Sequence, residues 1–316
     1  MLKDCLALLG HDVVEIEFDP SLPPDPPGFD FCIYPHKTRQ EAPEADLFYK
    51  EMHMQGLFTI DRNGWGPDHS GLQVPPDLRG IDPNLAESFC RGLREEFLVT
   101  GLSKHCQPPF RAIAPDYGPY LMAPLQLPTD DAVMLHSPLS VLEFVQLLAA
   151  WAERVRFTVV FKLHPGAVVS EVAEAVRLRA AASRYVVVLE ENIHALIAAA
   201  SGVVVLTSGV GFESLIHGKP VVTFGQCDYR WATFRGTAET MDAAFSYVNN
   251  YTPAQRQAAF ALVYFYYHQH AYDTSANTLG CRERLLTYLE KVVKKEPSLS
   301  PSRRDRGQCP HARRVY

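Results

Sequence analysis

An α/β fold with a parallel sheet is predicted for the second half of this 316-residue chain, and three observations predict it. Short apolar runs such as Phe157–Leu163 and Gly202–Leu206 lack the polar alternation of a half-exposed strand, so they read as strands covered on both faces. Between them lie stretches whose apolar residues recur at helical spacing, which makes the pattern one of alternating strands and helices, Rossmann-like in kind. Polar turns rich in Ser, Gly, Pro and Asp follow the strands at their carboxyl ends, where open parallel sheets bind ligands.

The elements follow in order. Leu6–Phe18 reads as a lead into a strand at Val13–Phe18, where apolar and acidic residues alternate. Residues 20–28 hold five prolines and read as an extended loop. Phe29–Tyr34 and Leu57–Ile60 read as strands, 62–80 as irregular, and Leu85–Val99 as the one clear helix of this half. The pattern sharpens after Asp116. Strands are expected at Tyr120–Leu127, Phe157–Leu163, Tyr185–Leu189, Gly202–Leu206 and Pro220–Phe224. Helices are expected at Leu139–Arg154, Ser170–Ala182, Ile193–Ala200 and Val210–His217. Thr252–Lys295 reads as helical with a break near Gly280, and the segment after Pro297 as disordered. The expected divisions are 1–118 (short and loop-rich), 119–250 (the Rossmann-like part), 251–296 (helices) and 297–316 (a basic tail).

With 47% hydrophobic and 21% charged residues the composition excludes a wholly disordered chain. Net charge is −6, which argues against a general nucleic-acid binder. After Pro297 five arginines face a single aspartate, Asp305, so the tail is +4 and the rest of the chain −10. Two readings of that tail stay open: a solvated segment, or a peripheral contact with anionic lipid at the inner membrane. No apolar run is long enough for a membrane span, and the start does not resemble a secretory signal. Seven cysteines without a Cys-x-x-Cys pair argue against a disulfide framework or structural zinc and fit a reducing cytoplasm.

Three stretches carry chemistry. Thr207-Ser208-Gly209-Val210-Gly211-Phe212-Glu213 follows a strand and opens a helix, a natural cradle for a phosphate. A tight strand-to-helix turn needs Ser and Gly anyway, so the two readings compete. Glu213 fits either a partner for sugar hydroxyls or a solvated helix carboxylate. Lys162, His164 and Pro165 follow another strand and suit a nucleotide phosphate, against a purely structural turn. Gln126, Asp130 and Asp131 end the first strand of the half. The two carboxylates could serve as nucleophile or base, or one could simply cap the next helix. His268 and His270, two apart, face different sides of a helix, and no metal is expected.

In this order, PLQLPTDDAVMLHSP, FKLHPG and VVVLTSGVGFESLIHGKPVVTFG resemble the capsule polysaccharide synthesis family, which includes bacterial retaining β-Kdo transferases, over about residues 115–235. The resemblance implies a GT-B-like α/β architecture of two Rossmann-like domains with a C-terminal crossover helix. It implies a CMP-Kdo donor, no metal or other cofactor, and a glycolipid or glycan acceptor. His164, with Lys162, Pro165, Thr207, Ser208, Gly209 and Gly211, would hold the donor phosphate, and Gln126 and Glu213 would also serve the donor. Asp130 would be the nucleophile, with Asp131 as alternate. The first half matches loosely, through Glu51 as acid/base and the stretch Asn63-Gly64-Trp65-Gly66; Glu51 and Asp61 also read as exposed surface carboxylates. Alternatives are a UDP-sugar epimerase or polyol-phosphate transferase of the same fold, or a catalytically silent partner in capsule assembly.

Overall fold

A computed structural model of the chain describes residues 1–16, 29, 31–43, 45–101, 103–113, 116, 118–167, 170–274 and 279–293. In chain order the elements are α1 (Leu2–Leu8), β1 (Ile33–Pro35), β2 (Leu47–Glu51), β3 (Leu57–Asp61) and α2 (Pro83–Thr100). Next come β4 (Tyr120–Pro124), α3 (Asp131–His136), α4 (Val141–Val155), β5 (Thr158–Lys162), α5 (Glu171–Ala182) and β6 (Val186–Val188). Then follow α6 (Ile193–Ala199), β7 (Gly202–Val205), α7 (Gly209–Ile216), β8 (Val221–Thr223) and β9 (Phe234–Arg235). The series ends with α8 (Met241–Asn249), α9 (Pro253–Phe265), β10 (Tyr272–Asp273) and α10 (Leu279–Val293).

Two units share these elements. The first comprises Met1–Glu51, Gly56–Ser70 and the chain from His270. Its sheet runs β1-β2-β3-β10 and is mixed: β1 is parallel to β2, while β2 and β10 are both antiparallel to β3. Leu6 of α1, Leu47, Phe58 and Ile60 of the strands, and Leu285 and Leu289 of α10 form its core.

The second unit comprises Met52–Gln55 and Gly71–Gln269. Its six strands run β6-β5-β4-β7-β8-β9 and every pairing is parallel. All residues of β4, β5, β7 and β8 are buried, as continuous apolar runs require. On one face α4 supplies Phe144, Val145, Leu148 and Trp151 to a core shared with Val159, Phe161, Val204 and Val222. The helix starts with a capping box in which Ser140 and Glu143 exchange side-chain and backbone hydrogen bonds.

The units interleave rather than following the sequential divisions read from the sequence. Helix α2 packs on α7 and α9, so it joins the parallel-sheet unit, and the chain after Gln269 returns to the first unit as β10 and α10. Three details differ from expectation. Residues 11–16 pair with no strand, and their apolar side chains Val13, Val14 and Ile16 stand 39%, 56% and 50% exposed. Alternation alone does not make a strand where no edge accepts it. Strands β2, β9 and β10 were not anticipated. The C-terminal helical stretch is broken at Tyr266–Asp273 by a π turn and β10, and Gly280 sits inside α10. The loop 20–28 and the tail 297–316 lie outside the described residues.

Candidate functional site

Numbered from β4, the strand order of the second unit is that of the doubly wound dinucleotide folds, and it reverses between β4 and β7. Such a switch point opens a crevice at the carboxyl ends of the two strands. Gln126 follows β4 and Thr207 follows β7, and their side chains meet there. Gln126 Oε1 accepts from the Thr207 backbone N–H at 3.0 Å and from its hydroxyl at 3.2 Å. Gln126 Nε2 donates to Thr207 Oγ1 and to Asp130 Oδ2, both at 3.1 Å. Both Gln126 and Thr207 are buried, so each unmade bond here would carry a desolvation penalty. Gly225, after β8, closes the same corner. A Cβ there would lie 2.9 Å from the His136 carbonyl oxygen and would strike the Thr207 methyl.

Asp130 is the N-cap of α3, its Oδ1 accepting from Ala132 N at 3.0 Å. It is both the helix cap and the carboxylate held by Gln126. Two N–H donors fix its plane while it stays half-buried, and Asp131 lies in the first turn of the same helix. One strand over, His164 Nδ1 accepts from Gly166 N at 3.0 Å. That bond leaves Nε2 as the protonated nitrogen of the neutral ring, a donor rather than an acceptor. Burial and the neighbouring His105 lower the His164 pKa, against an opposing pull from Asp130. Pro165 opens the short helical turn Pro165–Ala167. Lys162 is buried and spends its ammonium on the Glu191 carbonyl at 2.8 Å, with burial lowering its pKa. That bond ties β5 to the loop before α6.

Ser208 caps α7 through Val210 N at 3.3 Å, and the Tyr229 hydroxyl donates to the Ser208 carbonyl. Gly209 and Gly211 lie against packed rings. A Cβ on Gly209 would sit 3.3 Å from His53 Nδ1, and one on Gly211 would sit 2.9 Å from the Tyr229 ring. Behind the turn is a buried network missed in the sequence. His53 Nε2 meets Asp228 Oδ1 at 2.8 Å, the Tyr266 hydroxyl donates to Asp228 Oδ2 at 2.6 Å, and the His53 ring stacks on Phe212. No residue spacing announces this trio, because 175 positions separate His53 from Asp228.

Glu213, one turn further on, is 2% exposed. Burial raises its pKa to about 8, opposed by the Ser103 hydrogen bond and the Lys104 charge. The Ser103 hydroxyl reaches both carboxylate oxygens, at 3.0 and 3.2 Å. His194 Nε2 stands 3.6 Å away, and its Nδ1 lies 3.1 Å from His217 Nε2. Burial and neighbouring cationic groups depress His217 to about 3. Glu213 is therefore a buried carboxyl rather than a solvated one.

The first-half carboxylates have other partners. Glu51 Oε1 accepts from Gly56 N at 2.8 Å and closes the β2–β3 turn. Asp61 is not a surface group: it is 2% exposed, with Asn63 N and Ser70 N on Oδ1 at 2.8 and 3.0 Å and the Ser70 hydroxyl on Oδ2. No group of three or more His, Cys, Asp or Glu suited to a metal exists among the described residues, and none of their helices is long and apolar enough to cross a membrane.

A family model described as capsule polysaccharide biosynthesis protein matches residues 103–274. No curated protein sequence matches the chain. Among solved structures, the β-Kdo 2,7 transferase of Thermosulfurimonas dismutans KpsC is similar at 20% identity over 83% of this chain and 85% of that one, with a TM-score of 0.47. The β-Kdo 2,4 transferase of the same protein is similar at 16% identity over 78% and 82%, TM-score 0.42. A UDP-GlcNAc 2-epimerase from Methanocaldococcus jannaschii is similar at 13% identity over 53% and 45%, TM-score 0.33.

Proposed function

The chain belongs to the capsule polysaccharide biosynthesis protein family, and from that premise we propose that it is a metal-independent glycosyltransferase. Its donor is a nucleotide sugar, CMP-Kdo, and its acceptor a glycolipid or growing glycan of a surface polysaccharide. The observation that carries this reading is the bridge made by Gln126, which joins the Asp130 carboxylate to the Thr207 turn across the switch point.

The arrangement suits a double displacement. An Asp130 oxygen attacks the anomeric carbon of the donor sugar and the bond from that carbon to the CMP phosphate breaks, giving a glycosyl ester and free CMP. The acceptor hydroxyl then attacks the same carbon from the opposite face, the Asp130 ester bond breaks, and the hydroxyl proton passes to a general base. Two inversions give net retention. The N-terminal turn of α7 and the Nε2–H of His164 supply dipole and donor for the departing phosphate.

The test is thermal and kinetic. CMP raises the Tm of the full chain, and His164→Ala abolishes the shift. Purified protein with CMP-Kdo and a lipid-linked glycan acceptor releases CMP and forms a β-Kdo product. Absence of any CMP effect at millimolar concentration overturns the reading, and protection by a UDP-sugar alone redirects it to an epimerase.

A further inference from the structure

Between α2 and β4 the chain runs as an irregular strap from Ser103 to Pro108, pinned along the carboxyl edge of the parallel sheet. At one end Ser103 bonds both Glu213 oxygens on α7. At the other, Asn192 Nδ2 donates to the Pro108 carbonyl at 2.9 Å, and Gln107 Oε1 accepts from Ile193 N at 3.1 Å, at the start of α6. Between these anchors His105 lies edge-on to His164, ring centroids 4.8 Å apart. The Gln107 side-chain amide donates to the His105 carbonyl at 3.1 Å, which fixes the backbone that carries the ring.

An imidazolium and a neutral imidazole that donates through Nε2 can both serve one phosphate, the first as a charge-assisted donor and the second as a neutral one. His164 Nε2 is already fixed as a donor by the Gly166 bond to Nδ1. We infer that Ser103–Pro108 is a donor-binding strap in which His105 joins His164 as a second phosphate-binding imidazole. This rests on the donor-site reading above and adds a ligand to it. The titratable groups that act on His164 are His105 on the strap and Asp130 at the start of α3. An anion that draws a proton onto His105 beside the Nε2–H of His164 therefore binds more tightly at pH 6 than at pH 8.

Calorimetry on the full chain tests this with CMP and, separately, inorganic phosphate. His105→Phe keeps a ring against His164 but removes the charge and the donor; His105→Ala removes both. His105 is exposed, so each variant keeps the wild-type Tm. Loss of a charge-assisted hydrogen bond to phosphate predicts about tenfold weaker CMP binding in both variants, and a flatter dependence between pH 6 and pH 8. CMP binding unchanged in His105→Phe but lost in His164→Ala makes His105 a packing partner and overturns the inference while the donor site stands. Phosphate binding that needs both histidines, with no nucleotide bound by the wild type, supports the strap and overturns the transferase reading. A wild-type chain that binds neither probe overturns both.

Discussion

Asp61 in the first unit and Asp130 in the second begin from the same local motif. Asp61 ends β3 and Asp130 follows β4, and each accepts from the backbone N–H two residues on, Asn63 and Ala132 respectively. Their remaining partners separate them. Asp61 is sealed at 2% exposure by the backbone and hydroxyl of Ser70 and knots a loop. Asp130 stays half-buried, and its second oxygen is held by a glutamine that also binds the next strand of the sheet. The difference lies in the sheets. Strand β3 has an antiparallel neighbour on each side, whereas β4 has β5 and β7 parallel to it with crossovers leaving in opposite directions. Only the second arrangement leaves a crevice beside the carboxylate.

That contrast breaks most visibly at Asp130. Asp130→Ala should reduce sugar transfer on the order of 10³-fold or more. Its cost in stability should be about 1 kcal/mol, that of a lost helix cap, as urea denaturation can show. Asp61→Ala should do the reverse. It removes the buried carboxylate that gathers the backbone N–H groups of Asn63 and Ser70 and the Ser70 hydroxyl, so a loss of about 2–3 kcal/mol is expected, with CMP affinity unchanged by calorimetry. If Asp61→Ala weakened CMP binding as much as Asp130→Ala slowed turnover, the two carboxylates would not differ in kind.

A smaller effect is expected from Gly211→Ala, whose methyl meets the Tyr229 ring behind the α7 turn. Overpacking there should cost about 1–3 kcal/mol and weaken CMP binding along with Tm. Gly92, on α2, has open space at its Cβ position, and Gly92→Ala should raise Tm slightly.

The smallest expected effect is a slope. Glu213 has a carboxyl raised from 4.5 to about 8, so the native state favours its protonated form. The unfolded chain loses that proton near pH 4.5 while the native chain keeps it, so this group's contribution to stability falls between those values and levels off above about pH 8. His217 acts at the other end. Depressed from 6.5 to about 3, it lowers stability as pH falls through that interval. Glu213→Gln should flatten the decline in Tm between pH 6 and pH 8, with Ser103, Lys104 and His194 still facing the amide. An unchanged slope would place the titration elsewhere.

Much of the second unit was legible because burial on both faces writes continuous apolar runs. The strands at β4, β5, β7 and β8 fall inside the expected ones, and the helices α4 to α7 match within a residue or two at most ends. The first unit wrote little of this kind. Strands β1 and β10 have three and two residues, and β10 pairs with Phe58 from more than two hundred positions away. The site followed the same divide. Gln126, Asp130, His164 and the 207–213 turn were visible because each follows a strand, but their meeting depends on strand order, which no local pattern encodes. Ser103, His105, His53 and Asp228 carried no signal, being single residues that matter only through partners distant in sequence.

The reversal of strand order also sets when the site can exist. Strands β4, β5 and β6 are neighbours in both sequence and space, and they can zip together in order as the chain emerges. The pairing of β4 with β7 spans about eighty residues and waits for two intervening strands and four helices. Loop closure over such a distance is slow compared with the local pairings. The Gln126–Thr207 clamp is thus one of the later events in the assembly of this sheet, and Asp130 gains its glutamine anchor only when that step is done.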